Sequence, residues 1–479
     1  MADRKKIAED LIKLLGADNV VTDEATLKEF SADRFRKYQM IHGVYTRPTP
    51  AAVAYVETTE QVSAVLKYLN DEKINCVPRT GASATEGGLE TLVPDSVVVD
   101  GSRMNKLLKF DPYNMQVTAQ CGMGLGDLED FLRERGCTTG HSPQSKPLAQ
   151  LGGLVATRSI GQFSTLYGGI EDMVVGLEAV FPGGKVVRIK NVPRRAAGPD
   201  IRHIIIGNEG ALCYITEVTL KLFPYFPESY HTRGYLIDDM HEGLEILREV
   251  MVKGYKPAVA RLYDIGDAEY YFSSIETGKC VMVFTSEGPP AISELTINDI
   301  DKIVMSHGAE PADREYIENW FAHLNWDPAN IQAEVEEIRE TNNLGFTTEV
   351  SGDWESIRAI YDVCIERVSK EIPDLTMLGA HSSHSYINGT NMYFMYYYNV
   401  NAEITEEIHK YHEPINKIIV EETLRLGGSM VHHHGIGKAR AEWTPQEHGT
   451  AYMLLEGLKE TFDPNGIMNC GTIYPSELY

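Results

Sequence analysis

The sequence predicts an α+β protein of two domains, with the C-terminal segment returning to the first. Three observations carry that prediction. At 479 residues the chain is too long for one simple core. Between residues 44 and 225, short β-rich runs end repeatedly in glycine-rich loops. From about Phe223 the texture changes to longer helical stretches alternating with aromatic strands, among them Met392-Tyr393-Phe394-Met395-Tyr396-Tyr397-Tyr398.

The elements follow in order. Residues 1–43 read as a helical segment, with Ile7, Leu11, Leu14 and Leu15 at helix spacing, and Pro48 and Pro50 break that pattern. Val53-Ala54-Tyr55-Val56 is a strand, and Thr59-Glu60-Gln61-Val62 is an N-cap signal for a helix through Leu69. Asn75-Cys76-Val77-Pro78 is a buried strand running straight into Arg79-Thr80-Gly81-Ala82-Ser83-Ala84-Thr85-Glu86-Gly87-Gly88. Small residues in such a loop expose backbone N–H groups that can cradle phosphate oxygens. It lacks the Gly-Lys-Ser/Thr ending of a Walker loop and is not a Rossmann fingerprint, so alone it could equally just turn the chain.

Strands follow at Ser96–Asp100 and Gln116–Gln120, and Gly124 to Glu129 opens a helix. Gly152 to Arg158 reads as another glycine-rich loop. Pro182-Gly183-Gly184 sits in a strand-turn-strand, and Ile204 to Gly210 leads to a strand from Ile215 to Leu220. Several such loops in one domain suit an extended ligand with a pyrophosphate and rings. The second domain covers 226–426, and 427–479 returns to the first.

Composition excludes several classes. A net charge of −25 would repel nucleic-acid phosphates and an anionic membrane surface. No apolar run approaches the ~18 residues a spanning helix requires. The N-terminus reads as an amphipathic helix rather than a signal peptide. Seven cysteines stand singly with no CxxC pair, as reduced thiols would in a cytoplasmic protein.

Val431-His432-His433-His434-Gly435-Ile436-Gly437-Lys438 is the segment richest in chemistry. Clustered imidazoles can hold neutral and protonated members together near neutral pH. The flanking glycines allow a tight turn and close approach to a ligand. A tandem triplet cannot aim all three rings at one metal, so the segment reads as an acid/base and substrate-binding cluster. Metal binding and a structural role stay open.

Six segments in order and at matching spacing give the chain its resemblance to a known family. They are Thr139 to Pro143, Leu151 to Ser159, Leu166 to Val175, Gly198 to His203, Gly207 to Leu212, and the histidine triplet with Gly435-Ile436-Gly437-Lys438. Together they resemble the flavoproteins of vanillyl-alcohol oxidase type over residues 44–479, nearest by motif to the alkyldihydroxyacetonephosphate synthases. The resemblance implies a two-part FAD-binding domain plus an α+β substrate (cap) domain, and a homodimer. It implies FAD held by Pro78, Arg79, Thr80, Gly81, Ala82, Ser83 and Ala84, by Pro143, Gln144 and Ser145, by Thr157, Arg158 and Ser159, and by Glu209, Gly210, Ala211 and Ile215. The first loop has no His of the kind that tethers flavin in some relatives, so non-covalent FAD is expected.

For the reaction, the resemblance points to Tyr393 as acid/base with His432, His433 and His434, and to Arg261, His381 and His384 for substrate. A phenol needs a nearby positive charge or a hydrogen-bond network to act near neutrality, and a protonated His would serve. Tyr393 could instead be core in its aromatic strand, and Arg261 could pair with an acidic residue rather than a substrate. His381 stands where the synthases carry an arginine for substrate phosphate, and the chain ends Ser476-Glu477-Leu478-Tyr479 rather than Ser-Lys-Leu. Both point away from the ether-lipid reaction. The expected function is therefore hydride transfer from a small alcohol, phenol or 2-hydroxy acid to FAD, with dioxygen, a quinone or a protein as acceptor. The alternatives are a redox-neutral flavin transferase and a metal-assisted flavin dehydrogenase of 2-hydroxy acids.

Overall fold

A computed structural model describes residues 3–272, 278–323, 325 and 327–479. Strands β1 (Val20–Val21), β2 (Ala52–Tyr55), β3 (Cys76–Arg79) and β4 (Val97–Asp100) form a sheet in the order β1-β2-β4-β3. β2, β4 and β3 run parallel, which requires a crossover, and helix Thr59–Glu72 supplies it. Val62, Val65, Leu66 and Leu69 recur on one helix face and are all buried. The cap is Thr58 rather than Thr59. Thr58 has the extended backbone a cap needs and its hydroxyl accepts from the Gln61 N–H, whereas Thr59 donates to Glu178 at 2.6 Å.

Helix Arg4–Leu15 sets Ile7, Leu11 and Leu15 into the same core, while Leu14 faces solvent. Val20–Val21 departs from the helical reading, because the β-branched pair adds to the sheet edge against Ala54 and Val53.

Strands β5 (Leu107–Asp111), β6 (Gln116–Gln120), β7 (Cys137–Thr138), β8 (Val174–Phe181), β9 (Lys185–Ile189), β10 (Tyr214–Lys221) and β11 (Phe223–Pro224) follow. Five of them make an antiparallel sheet, β5-β6-β10-β8-β9, and β7 pairs with β11. Residues Leu151–Ala156 form a helix, not the expected loop. A Cβ on Gly152 would meet the Cys121 side chain at 2.7 Å, so this glycine marks close packing rather than a turn.

The third sheet holds β12 (His231–Ile237), β13 (Val259–Tyr263), β14 (Cys280–Ser286), β15 (Glu310–Pro311), β16 (Asn343–Asp353), β17 (Leu375–Ser382), β18 (Ser385–Tyr386) and β19 (Gly389–Asn399). Their order is β15-β12-β14-β13-β17-β19-β16, with β18 pairing back on β19. Helices Met240–Val252, Pro290–Ser306, Ser356–Glu371 and Glu413–Arg425 contribute apolar residues to the core on one face. β19 shows what that does. Met392, Phe394, Tyr396 and Tyr398 enter the core, whereas Tyr393, Met395 and Tyr397 line a cavity on the opposite face.

The chain then returns to the first sheet. The Cys76 N–H donates to the Ile467 carbonyl at 2.7 Å, and the Asn469 N–H donates to the Cys76 carbonyl at 2.8 Å. The seven cysteines are free thiols, six of them buried. Among the described residues no helix is long and apolar enough to cross a membrane.

Candidate active site

A cavity of about 960 Å³ is lined by both the glycine-loop domain and the open face of the third sheet. At one end, the loop after β3 presents unengaged backbone. Among the described residues, the amides from Thr80 to Thr85 donate to no carbonyl or side chain of the chain itself. Ala82 takes a left-handed backbone (φ +53°), and a Cβ on Gly81 would meet the Leu148 carbonyl at 2.5 Å. The loop is thus pressed close and aims N–H groups into the cavity, as a diphosphate requires. Of the residues expected to hold the cofactor, Arg158 and Ala211 are the two that do not line it. Arg158 has a left-handed backbone and pairs outward with Glu171 at 3.1 Å. Ala211 is fully buried and its carbonyl accepts from Lys459.

At the other end, strand register assembles the chemistry. Tyr263 on β13 pairs with His381 on β17, His381 with Tyr393 on β19, and Tyr393 with Glu349 on β16. Residues paired across neighbouring strands lie side by side on one face. The His381 and Tyr393 rings are stacked, with centroids 4.6 Å apart. Asp267, wholly buried, hydrogen-bonds Nδ1 of His381, which fixes the ring. Arg261, two residues before Tyr263, faces the same cavity and donates to the Tyr263 hydroxyl (2.7 Å) and to Gln162 (3.1 Å).

The histidine triplet is a loop clamped by two carboxylates. Glu349 accepts from the backbone N–H groups of His432 (2.7 Å), His433 (3.1 Å) and His434 (2.8 Å). Glu209 accepts from those of Ile436 (2.8 Å) and Gly437 (2.7 Å), and burial pushes its carboxyl up to about 7. Gly437 has φ +56°, and a Cβ there would lie 1.9 Å from the Glu86 carbonyl. Gly437→Ala should therefore cost about 2 kcal/mol or more and displace the histidines. A thermal unfolding midpoint and flavin content equal to the unmodified protein's would count against this clamp.

The clamp delivers two imidazoles to one phenol. The Tyr393 hydroxyl lies 2.6 Å from Nε2 of His433 and 3.2 Å from Nε2 of His434. Of the two supports expected for the phenol, a positive charge or a hydrogen-bond network, the structure shows the network. Burial, reinforced by the neighbouring histidines, holds His433 well below its ordinary value, and burial chiefly lowers His432 to about 4. Burial and the Glu349 charge hold the Tyr393 phenol well above its ordinary value. Both shifts favour a neutral phenol beside a neutral His433 imidazole.

Tyr393, Arg261, His381, His384, His433 and His434 all line the cavity, whereas His432 stands behind them. His384 stacks on His432 at 5.3 Å and pairs through Nδ1 with the Ser164 hydroxyl at 2.7 Å. Although the triplet cannot converge, His384, His432 and His433 each bring a ligand atom within 4.8 Å of the others. Sequence reasoning missed Asp267, Glu349 and Tyr386. An acid between the β-branched Thr347, Thr348 and Val350 of a strand was a usable signal for Glu349, since a buried charge needs partners.

Residues 50–190 match the FAD binding domain family, and residues 227–473 match the C-terminal domain of FAD linked oxidases. The FAD-linked oxidoreductase YgcU of Escherichia coli K12 is 62% identical over 479 residues, covering 99% of both chains. The mitochondrial D-lactate dehydrogenase [cytochrome] 1 of Saccharomyces cerevisiae is 25% identical, covering 98% of this chain and 80% of its own. Among solved structures, 4-ethylphenol oxidase from Gulosibacter chungangensis superposes with a TM-score of 0.80 at 16% identity, covering 100% of this chain and 99% of its own. An alkyldihydroxyacetonephosphate synthase gives 0.78 at 22% identity, covering 99% and 85%.

Proposed function

We propose that this chain, which belongs to the FAD-linked oxidoreductases of vanillyl-alcohol oxidase type, oxidises a small 2-hydroxy acid. One observation carries the choice of substrate. Arg261 is a cation in the cavity wall that donates to neutral Tyr263 and Gln162 and lies over the Trp320 ring, and its Nε is buried with no acceptor. Among the described residues no carboxylate forms an ion pair with it. A guanidinium in that state is complementary to a carboxylate brought by the substrate. A plain alcohol or a phenol would leave it unpaired. The dehydrogenase from yeast, whose name states D-lactate, supports the same reading.

FAD, held by the unengaged amides of the loop after β3, supplies the hydride acceptor when bound. That loop offers no His, Cys or Tyr for a tether, which supports non-covalent binding. The chain's own groups do the rest. Arg261 orients the carboxylate. Tyr393 takes up the hydroxyl proton while releasing its own to His433, and Glu349 offsets the charge that then forms on the triplet. His381, pinned by Asp267 and stacked on Tyr393, fixes the phenol's orientation.

A redox-neutral transferase is the weaker reading. The structural likeness to the synthase favours it, but His381 with a buried Asp267 behind it is a poor receptor for a phosphate dianion. Anaerobic titration of the flavin absorbance with 2-hydroxy acids, phenols and alcohols tests the proposal. Bleaching by 2-hydroxy acids is expected, and bleaching by phenols or plain alcohols alone would overturn it. Arg261→Met should weaken binding of the hydroxy acid about 100-fold with flavin content unchanged, as for loss of a charge-assisted bond. Unchanged affinity would remove Arg261 from the substrate.

A further inference from the structure

We propose that Tyr386 and His432 form a proton exit that links Tyr393 to bulk solvent. The inference rests on the oxidation above, and the geometry gives the links from Tyr393 to Tyr386. The Tyr393 hydroxyl is 2.6 Å from Nε2 of His433. Nδ1 of His433 is 2.9 Å from Nδ1 of His432. Nε2 of His432 is 2.7 Å from the Tyr386 hydroxyl. Tyr386 is 37% exposed and does not line the cavity, so the residue at the far end reaches the outer surface, although its hydroxyl is turned toward His432 and burial raises the phenol above its ordinary value.

Hydrogen-bond direction makes this a relay rather than a cluster. Neutral imidazole has one donor and one acceptor nitrogen, and both rings are held neutral by burial. If Tyr393 donates to Nε2 of His433, that ring carries its proton on Nδ1 and donates to His432. His432 then carries its proton on Nε2 and donates to Tyr386, whose hydroxyl donates to water. All links point outward, and nothing must rotate before a proton moves. Glu349 lies 3.7 Å from Nδ1 of His433, on the side that favours a proton there.

The balance closes with the flavin as the only oxidant. The substrate C–H bond breaks and its electron pair leaves with the hydrogen to FAD. The substrate O–H bond breaks and its proton bonds to the Tyr393 oxygen, whose own proton passes to His433. The protons of His433 and His432 each shift one place, and Tyr386 releases one proton to water. Per substrate, one hydride and one proton depart and a carbonyl remains.

The same nitrogens could be drawn toward a metal, but the distances favour the relay. Tetrahedral ligands about 2.0–2.1 Å from zinc lie about 3.4 Å apart. The Nδ1 atoms of His432 and His433 are 2.9 Å apart, a hydrogen-bond separation.

Tyr386→Phe keeps the ring and removes the exit. In dilute buffer it should slow flavin reduction by a 2-hydroxy acid about tenfold at unchanged substrate affinity. Added imidazole should restore the rate, while the unmodified protein should not respond to it. A structural defect would not be rescued by a diffusible buffer. A variant reducing its flavin at the original rate in every buffer would overturn the relay.

A second readout needs no substrate. With ¹⁵N-labelled histidine, exchange of the His432 and His433 ring N–H protons with water should be slower in the Tyr386→Phe holoenzyme. Equal exchange would overturn the relay, as would one equivalent of tightly held divalent metal in the purified protein. If no hydroxy acid bleaches the unmodified flavin, the substrate reading fails, and the exchange measurement still decides the relay.

Discussion

Tyr393→Phe should slow flavin reduction by about 10³-fold while leaving flavin content and the unfolding midpoint nearly unchanged. The hydroxyl is the one polar atom the substitution removes, and it sits on the cavity face of β19, so no core packing is lost. The magnitude is that of a general acid–base group, about 10²–10⁴. The pH profile of the unmodified enzyme follows from the same environment. His433 is held below its ordinary value, so as pH falls the acceptor is lost only beneath ~6.5, the ordinary histidine value. Tyr393 is held above its ordinary value, so as pH rises the phenol stays neutral past ~10. Single-turnover reduction should be flat across the neutral range. An acid limb at ~6.5 would show an ordinary exposed histidine acting as base.

Glu349→Gln should damage both stability and rate. Glu349 is fully buried and its carboxylate accepts three consecutive backbone N–H groups. An amide offers one acceptor oxygen and turns its NH₂ toward amides that also donate. Two unsatisfied donors should cost about 3 kcal/mol, read as a lowered denaturation midpoint. The rate of flavin reduction should fall by about 10²-fold, because the histidines lose both their position and the offsetting charge. A variant that unfolds at the same denaturant concentration and reduces its flavin normally would show that the loop is held by other contacts. Glu209 makes only two such bonds and burial raises its carboxyl toward neutrality, so its loss should be milder.

Local chemistry was legible where a residue type had one use. The loop after Pro78 could be read either as a phosphate cradle or as a turn, because small residues after a strand serve both, and the structure leaves the amides from Thr80 to Thr85 without partners in the chain, as a cradle requires. Gly152 misled for a related reason. Glycine signals either a turn or close approach, and only the neighbour, Cys121, says which. Val20–Val21 was invisible as a strand because two residues carry no periodicity, and its pairing with β2 is a long-range event.

By itself the sequence determined that the chain carries a glycine-loop FAD domain, a second α+β domain and a histidine triplet beside a tyrosine-rich strand. The glycine loops, the change of texture and the triplet follow from composition and spacing, which act over a few residues, whereas FAD and the link between triplet and tyrosine followed from the family resemblance. Only the tertiary structure decided that Tyr393 faces the cavity while Phe394 faces the core, since strand register sets which parity is buried. It alone decided the protonation states, because burial and the charges of Glu349 and Arg261 come from distant strands. It alone brought Tyr386, Asp267 and Glu349 to the histidines, across separations in the chain that no local pattern spans.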